Sequence, residues 1–176
     1  MNYCSHCGSA QLKQKVPEGD NLPRFVCSDC HTIHYKNPKI IAGCLPVWED
    51  KILLCKRAIE PRYGLWTLPA GFMENNETVE QAAARETWEE AYANVDQLDL
   101  YVVTSLSSIS QVYMMFRARL LDLSFAPGSE SLEVHLFTQD EIPWDCLAFE
   151  VIRWTLTYYF QDRVADHFPV HVGEIC

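Results

Sequence analysis

Long apolar runs are missing from this sequence, and so is a basic, transit-like segment near its start. A membrane-spanning helix needs about 18 to 20 consecutive apolar residues. No such stretch occurs, and the apolar run of a secretion signal is also absent. We therefore expect a soluble, cytoplasmic protein with no membrane partner. Without a secretion signal, we do not expect the eight cysteines to form a disulfide scaffold.

Positive charge is scarce. The 14 Lys and Arg residues face 24 Asp and Glu residues, which gives a net charge of −10. A general nucleic-acid surface needs a basic stripe, so we expect no nucleic-acid partner. The same acidic balance suits a protein that carries bound cations. A hydrophobic fraction of 48% and an aromatic fraction of 12% exclude a disordered chain, and 176 residues suffice for one domain plus a small module.

Much of the acidic charge lies in residues 71–93. A capping-box pattern at Thr78 predicts a helix that begins near this residue. On that helix three glutamates stand at i, i+3 and i+4 and share one face: Glu86, Glu89 and Glu90. A solvated acidic face is the commoner outcome for charge clusters. Mutual repulsion disfavours this one, however, and a bound divalent cation such as Mg²⁺ would offset it because hard cations take oxygen ligands.

The spacing G-x5-E-x7-R-E-x-x-E-E from Gly71 to Glu90 resembles the signature of the Nudix hydrolases. Its fixed gaps argue against a merely solvated face. The resemblance implies an α/β fold, the Nudix α/β/α sandwich with a mixed sheet, and Mg²⁺ or Mn²⁺ as catalytic cofactor. It implies Glu86, Glu89 and Glu90 as the metal ligands. It also implies catalytic positions for Arg85, which should orient a neighbouring carboxylate, and for Glu77.

Two positions depart from the family pattern. Tyr92 stands where the family has Gly, and Thr87 stands where it has an aliphatic residue. A Gly at that place would serve as the left-handed cap of the helix. We therefore predict that the helix runs slightly longer and ends at Asn94, because Asn tolerates the left-handed conformation.

Two C-x2-C pairs, separated by nineteen residues, precede this region. They predict a zinc ribbon in residues 1–36, in which four thiolates bind structural Zn²⁺: Cys4, Cys7, Cys27 and Cys30. A segment this small lacks a core of its own, so the metal would supply its folding energy. His6, His31 and His34 remain alternative ligands. The second domain is predicted to occupy residues 37–176.

Several segments after residue 36 have the sequence pattern of β-strands. Lys39 to Trp48 and Lys51 to Arg57 read as strands, and two more are predicted at 98–106 and 110–121 and a fifth ending at Thr138. Asp145 is predicted to cap a last helix from Cys146 to about Asp162. The segment from His167 on shows no clear period and is predicted to be mobile or to swap into a partner. The thiols outside the ribbon are predicted to be buried: Cys44, Cys55, Cys146 and Cys176.

Substrate contacts are predicted at Arg57, Arg62 and Gly71. The guanidinium group matches phosphate geometry, and the resemblance places a phosphate-contacting Arg near the end of the second strand. A general base must take the proton of the attacking water. We rank Glu133 first for this role and Glu130 second.

The zinc ribbon before the Nudix box is similar to two groups of Nudix enzymes, the NADH pyrophosphatases and the plant chloroplastic FAD and ADP-ribose pyrophosphatases. The run Ser-Gln-Pro-Trp-Pro-Phe-Pro of the NADH group is missing here. The resemblance therefore favours hydrolysis of FAD to FMN and AMP, or of ADP-ribose, by a homodimer. The alternatives are NADH pyrophosphatase-like activity, a catalytically inactive nucleotide sensor, and a nucleic-acid-binding zinc module with a vestigial domain.

Overall fold

The computed structural model describes residues 1–175 and divides into two compact units. The first is Met1–Pro38, and the second begins at Lys39. The sequence predicts a domain boundary between residues 36 and 37, and this boundary stays a prediction. Residue Cys176, which was predicted to be a buried thiol, lies outside the described residues.

The N-terminal unit is a three-stranded antiparallel sheet in the order β1-β2-β3: β1 Leu12–Lys15, β2 Arg24–Cys27 and β3 Ile33–His34. Tight turns carry the first and second cysteine pairs. Gly8 takes a φ of 76° after the first pair, and its N–H donates to the Cys4 carbonyl at 2.9 Å. His31 has a φ of 61°, and its N–H donates to the Cys27 carbonyl at 3.1 Å. Each turn therefore folds back over its own cysteine pair.

The second unit is built on an eight-stranded mixed sheet. Its strands are β4 Lys39–Trp48, β5 Lys51–Arg57, β6 Trp66–Thr67, β7 Ala70–Phe72, β8 Val95–Leu106, β9 Gln111–Leu120, β10 Ser131–Phe137 and β11 His171–Glu174. The main path runs β10-β5-β4-β9-β8-β11, with β6 on β5 and β7 on β4. The pairs β4–β9 and β8–β11 are parallel. The bounds predicted for β4 and β5 are confirmed, whereas the short strands β6 and β7 were not predicted.

Two helices cover the two faces of this sheet, α1 Val79–Ala91 and α2 Glu150–Ala165. Alternation along β4 divides the core between them, because successive side chains of a strand point to opposite faces. Ala42 and Cys44 pack in the cluster that contains the small residues of α1. Ile41 and Leu45 pack in the cluster that contains the apolar face of α2. The predicted α/β/α sandwich is therefore confirmed.

Helix α1 begins as predicted and ends differently. The Thr78 hydroxyl accepts from the Gln81 N–H, and the Gln81 side chain accepts from the Thr78 N–H, which completes the capping box. At the other end Tyr92, not Asn94, is the left-handed cap, with φ 45°. The prediction was wrong because a loop closes over the last turn: Ala126 N–H donates to the Ala91 carbonyl at 2.9 Å.

The C-terminal part also differs from its prediction. Residues Trp144–Cys146 form a short 3₁₀ turn, and α2 begins later, with Phe149 at its N-cap. Asp145 therefore does not cap the helix. The segment after His167 is not a free tail in the described residues, because β11 extends the sheet in parallel with β8. Cys44 and Cys55 are buried as predicted, whereas Cys146 is exposed.

Across residues 1–175, none of the helices combines the length and apolarity that a membrane crossing requires.

Candidate active site

The four cysteines of the N-terminal unit converge. Their sulfur atoms all lie within 4.8 Å of one another, and Cys4–Cys30 and Cys7–Cys27 are each 3.6 Å apart. A tetrahedral zinc site with Zn–S bonds of about 2.3 Å has S–S edges of roughly 3.8 Å. The sulfur positions therefore fit structural zinc.

The histidines that were left open as ligands stand outside this set. Within the described part of the chain, the metal-binding group around these sulfurs contains the four cysteines and no histidine. His34 comes nearest, with Nε2 3.3 Å from the Cys4 sulfur. This distance is a hydrogen-bond contact, so His34 lies beside the cysteine tetrad, whereas His6 and His31 are exposed on the surface.

In the second unit, Arg85 holds three glutamates together. Its guanidinium donates to both oxygens of Glu77 at 3.0 and 2.8 Å, to Glu86 at 2.8 Å and to Glu89 at 3.0 Å. A fifth bond reaches the Phe72 carbonyl at 3.2 Å. The hydrogen bonds from Arg85 lower the pKa of Glu77 to about 2. Arg85 thus orients neighbouring carboxylates, which is the role that the sequence predicts.

Glu90 is the least solvated of the acidic group. Its side chain is only 6% exposed, and burial, followed by the charge of Glu86, raises its pKa to about 8. Among the described residues, its Oε2 atom has no hydrogen-bond partner. Burial also raises the pKa of Glu86. An orphaned buried oxygen beside a second desolvated carboxylate fits a bound divalent cation, because the cation would supply the missing partner and offset the repulsion.

Gly71 leaves the space that the Glu86 carboxylate occupies. A Cβ atom at position 71 would lie 2.3 Å from the Glu86 carboxyl carbon, so any side chain there would displace this carboxylate. The strand β7 that carries Gly71 is therefore packed directly against the acidic face of α1. The absence of a side chain, rather than unusual backbone conformation, is what this position requires.

Glu86, Glu89 and Glu90 line a cavity of about 850 Å³. Its wall contains most of the predicted site residues: Arg57, Gly71, Arg85, Glu86, Glu89 and Glu90. Arg57 donates from Nε to the Pro61 carbonyl at 3.0 Å, and its guanidinium lies 5.2 Å from the Phe149 ring centroid. Glu77 is set back behind Arg85. Arg62 is exposed, has a φ of 72° and does not belong to the described cavity lining.

Glu133 is not brought to this cavity. Its carboxylate pairs with Lys56 at 2.7 Å, with His135 at 3.4 Å, and the hydrogen bond from Lys56 lowers its pKa. Glu130 does line the cavity, and its charge acts on both Glu86 and Glu90. Glu130 directly precedes β10, whereas Glu133 lies within this strand and pairs with Lys56 of β5. We therefore reverse the predicted order and place Glu130 ahead of Glu133.

The sequence analysis missed the aromatic and polar residues of the cavity wall. Phe72, Gln111, Tyr113 and Phe149 line the same cavity. Phe72 directly follows Gly71, and its position next to a predicted site residue could have indicated that it lines the site. Tyr113 and Phe149 reach the site only through strand pairing and the start of α2, which the sequence pattern did not reveal.

Comparisons with known proteins agree with this architecture. A profile described as "Nudix N-terminal", a zinc ribbon, matches residues 2–36, and the profile of the NUDIX domain matches residues 37–157. A NUDIX hydrolase structure from Nitrosomonas europaea is 59% identical, with a TM-score of 0.95 and 99% of each chain covered.

Relatives of this chain include proteins described as NAD-capped RNA hydrolase NudC. The one from Vibrio atlanticus is 31% identical over 149 residues, which cover 81% of this chain and 51% of the relative. The one from Escherichia coli K12 is 33% identical over 147 residues, 80% of this chain and 53% of the relative. The chain thus spans about half the length of these relatives. The NUDIX domain of Shewanella oneidensis NrtR, solved with ADP ribose, shares the fold at 18% identity and TM-score 0.63, covering 74% of this chain and 90% of that one.

Proposed function

Because this chain belongs to the Nudix hydrolases, we propose that it hydrolyses the pyrophosphate linkage of an adenine dinucleotide, with NADH as the first substrate to test. The observation that carries the proposal is the pair formed by buried Glu90, with its unpartnered oxygen, and half-buried Glu86, in the wall of a cavity that also contains Arg57. Such a site has the negative charge to hold a divalent cation and the guanidinium to meet a phosphate.

The substrate differs from the one that the sequence favoured. None of the relatives reported above is named for FAD, whereas the similar NudC proteins are described as NAD-capped RNA hydrolases. The NADH-type alternative is therefore the better supported one, and FAD and ADP-ribose become comparison substrates. The expectation of no nucleic-acid partner also lacks support, since those relatives are named for a capped RNA.

In the proposed site, Glu86, Glu89 and Glu90 would hold Mg²⁺ or Mn²⁺. The cation would supply charge neutralisation at the pyrophosphate and would lower the pKa of the attacking water. Arg85 keeps two of these carboxylates aimed into the cavity and is itself held by Glu77. Without Arg85, repulsion between the Glu86 and Glu89 carboxylates would move these two side chains apart and into solvent.

The remaining residues act on the substrate directly. Arg57 binds a phosphate oxygen and is fixed for this by Pro61 and Phe149. Glu130 takes the proton of the attacking water, because it lines the cavity and its charge acts on both Glu86 and Glu90. Gly71 leaves the room that the Glu86 carboxylate occupies.

Product analysis of the purified chain tests the proposal. NADH, FAD, ADP-ribose and NAD-capped RNA are each incubated with Mg²⁺ and with EDTA, and the products are separated by chromatography. We expect Mg²⁺-dependent cleavage of NADH to its reduced nicotinamide mononucleotide and AMP, with no cleavage in EDTA. Tight binding of these nucleotides without any cleavage would instead support the inactive sensor, and cleavage that persists in EDTA would contradict the metal site.

A further inference from the structure

The strand register of the N-terminal unit collects basic side chains on one face of its small sheet. In the pairing of β1 with β2, Lys15 lies opposite Arg24, and directly paired residues share a face. Lys13 is two positions from Lys15 on the same strand, so it points to this face as well. The three strands contain no Asp or Glu. All their Lys and Arg side chains therefore lie together, without a carboxylate between them on the strands.

The opposite face of this sheet packs on the cysteine cluster. On β2, Phe25 and Cys27 point to the face opposite to Arg24. His34 of β3 is paired with Phe25 and shares this opposite face. Cys27 belongs to the cysteine cluster, and the His34 Nε2 atom lies 3.3 Å from the Cys4 sulfur. The basic side chains therefore point away from the cysteine cluster, and both lysines of β1 are exposed.

An exposed aromatic ring adjoins these cations. Tyr35 directly follows β3, is 62% exposed, and has the Arg24 guanidinium 5.1 Å from its ring centroid. Arg24 is held in place by Asp20, whose carboxylate accepts from its Nε at 3.0 Å. In the structure of residues 1–175, by contrast, Lys13 and Lys15 form no ion pair. This basic face, formed by Lys13, Lys15, Arg24 and Tyr35, thus suits a ligand that is both anionic and aromatic.

The charge of the chain is divided unevenly between its two units. Residues 1–38 contain four Lys and Arg against three Asp and Glu, a net charge of +1, whereas the remaining residues carry −11. Such an asymmetry between parts of a chain suggests a nucleic-acid partner for the more basic part. The expectation of no nucleic-acid partner used the net charge of the whole chain, which conceals the basic face of the first unit.

We propose that the basic face binds a single-stranded polynucleotide, with phosphates on Lys13 and Lys15 and a base stacked on Tyr35. Two positions along a strand span about 6.8 Å, which matches the separation of successive phosphates in an extended single strand. Bases of a single strand are free to stack on an aromatic side chain, whereas those of a duplex are stacked inside it. The inference goes beyond the proposed hydrolysis and does not require it.

The test is fluorescence anisotropy of the full chain with a labelled oligouridine of about 15 nucleotides, without added Mg²⁺. The same oligouridine annealed to oligoadenosine provides the duplex. We expect the wild-type chain to bind the single strand about tenfold tighter than the duplex, because only the single strand offers a base to Tyr35. The affinity for the single strand should fall as the salt concentration rises, because phosphate contacts release counterions.

Two lysine variants test the phosphate contacts. Lys13→Gln and Lys15→Gln should each reduce the slope of log affinity against log salt concentration by about 0.7, the value expected for one phosphate contact to a single strand. Lys51→Gln makes the same change of charge on β5 of the second unit and is the matched control, which should keep the wild-type slope.

Two tyrosine variants test the stacking contact. Tyr35→Leu should weaken binding of the single strand about tenfold and leave the salt slope unchanged, because it removes a ring and no charge. Tyr35→Trp keeps a ring and should bind within about threefold of the wild-type chain. Tyr63→Leu changes an exposed tyrosine of the second unit and is the control that should keep the wild-type affinity. All variants should retain the zinc content of the wild-type chain.

The outcomes separate this inference from the proposed function. Absence of binding at low salt, equal affinity for single strand and duplex, or an unchanged salt slope in both lysine variants would overturn the polynucleotide site. Wild-type affinity in Tyr35→Leu would overturn the stacking contact. Polynucleotide binding with these properties, in a chain that cleaves no dinucleotide, would leave the site standing and overturn the proposed hydrolysis alone.

Discussion

At the scale of single residues, the site depends on how poorly Glu90 is solvated. Its orphaned oxygen and its neighbour Glu86 make the metal-free site electrostatically unfavourable, and a cation relieves this cost. The sequence alone predicted that these glutamates share one face of a helix, because the number of residues between them fixes their relative positions on it. It did not separate Glu130 from Glu133, because the ion pair of Glu133 with Lys56 depends on the pairing of β10 with β5, which the sequence does not reveal.

Replacing Glu90 by Gln should abolish Mg²⁺-dependent turnover while the fold stays intact. The reason is that Gln keeps the shape of the side chain but lacks the charge that binds the cation. Glu80→Gln, at an exposed position in the first turn of the same helix, is the matched control and should keep wild-type turnover. Wild-type-like rates in the Glu90 variant would contradict the assignment.

The same variant predicts a pH effect on the metal-free chain. Since burial raises the pKa of Glu90 to about 8, the folded state holds this proton more tightly than the unfolded state does. The stabilisation is complete below the unfolded pKa of about 4.3 and is lost as pH rises towards 8. Thermal melts in EDTA should therefore show a fall in stability over this range that is smaller in Glu90→Gln. Parallel curves for the two proteins would count against the raised pKa.

At the scale of elements, tertiary contacts override local preference at the end of α1. The start of this helix follows from the sequence, because the capping box of Thr78 and Gln81 is local. Its end does not, because the loop at residues 126–128 binds the last carbonyls. Gly128 donates to the Glu90 carbonyl at 3.0 Å, and a Cβ there would come within 1.8 Å of the Glu89 carbonyl oxygen. Likewise, β11 is stabilised by pairing with β8, which no local pattern announces.

The left-handed cap at Tyr92 predicts an unusual order of stabilities for two variants. Both Tyr92→Gly and Tyr92→Ala lose the edge-to-face contact with Trp88, whose centroid is 5.3 Å away. Only Gly adopts a φ of 45° without strain, so the Gly variant should be more stable than the Ala variant by about 1 kcal/mol. Chemical denaturation measures this difference. An Ala variant as stable as the Gly variant would show that position 92 is not strained.

At the scale of the whole molecule, two compact units carry two different sets of potential metal ligands, thiolates in the first and carboxylates in the second. The sulfur ligands of the first unit could be read from spacing alone, because two C-x2-C pairs specify a tetrahedron. The sandwich of the second unit followed from the resemblance, and the observed sheet order supports it. The homodimer that the resemblance implies remains a proposal, which sedimentation analysis of the purified chain tests.

Zinc content provides a prediction for the N-terminal unit. Wild-type chain should contain about one zinc ion, and Cys27→Ser should lose nearly all of it because one corner of the sulfur tetrahedron is removed. Cys146→Ser removes an exposed thiol outside the cluster and is the control that should keep the zinc. Elemental analysis of the three proteins decides the point, and zinc retained by the Cys27 variant would place the ion elsewhere.

Titration with Mn²⁺, followed by electron paramagnetic resonance of the free ion, tests the acidic cluster most directly. We predict that the wild-type chain removes at least one Mn²⁺ from solution in a Mg²⁺-competable manner, and that Glu86→Gln and Glu90→Gln abolish this binding while Glu80→Gln does not. Equal Mn²⁺ uptake by wild-type chain and by both cluster variants would show that these glutamates do not hold the catalytic ion.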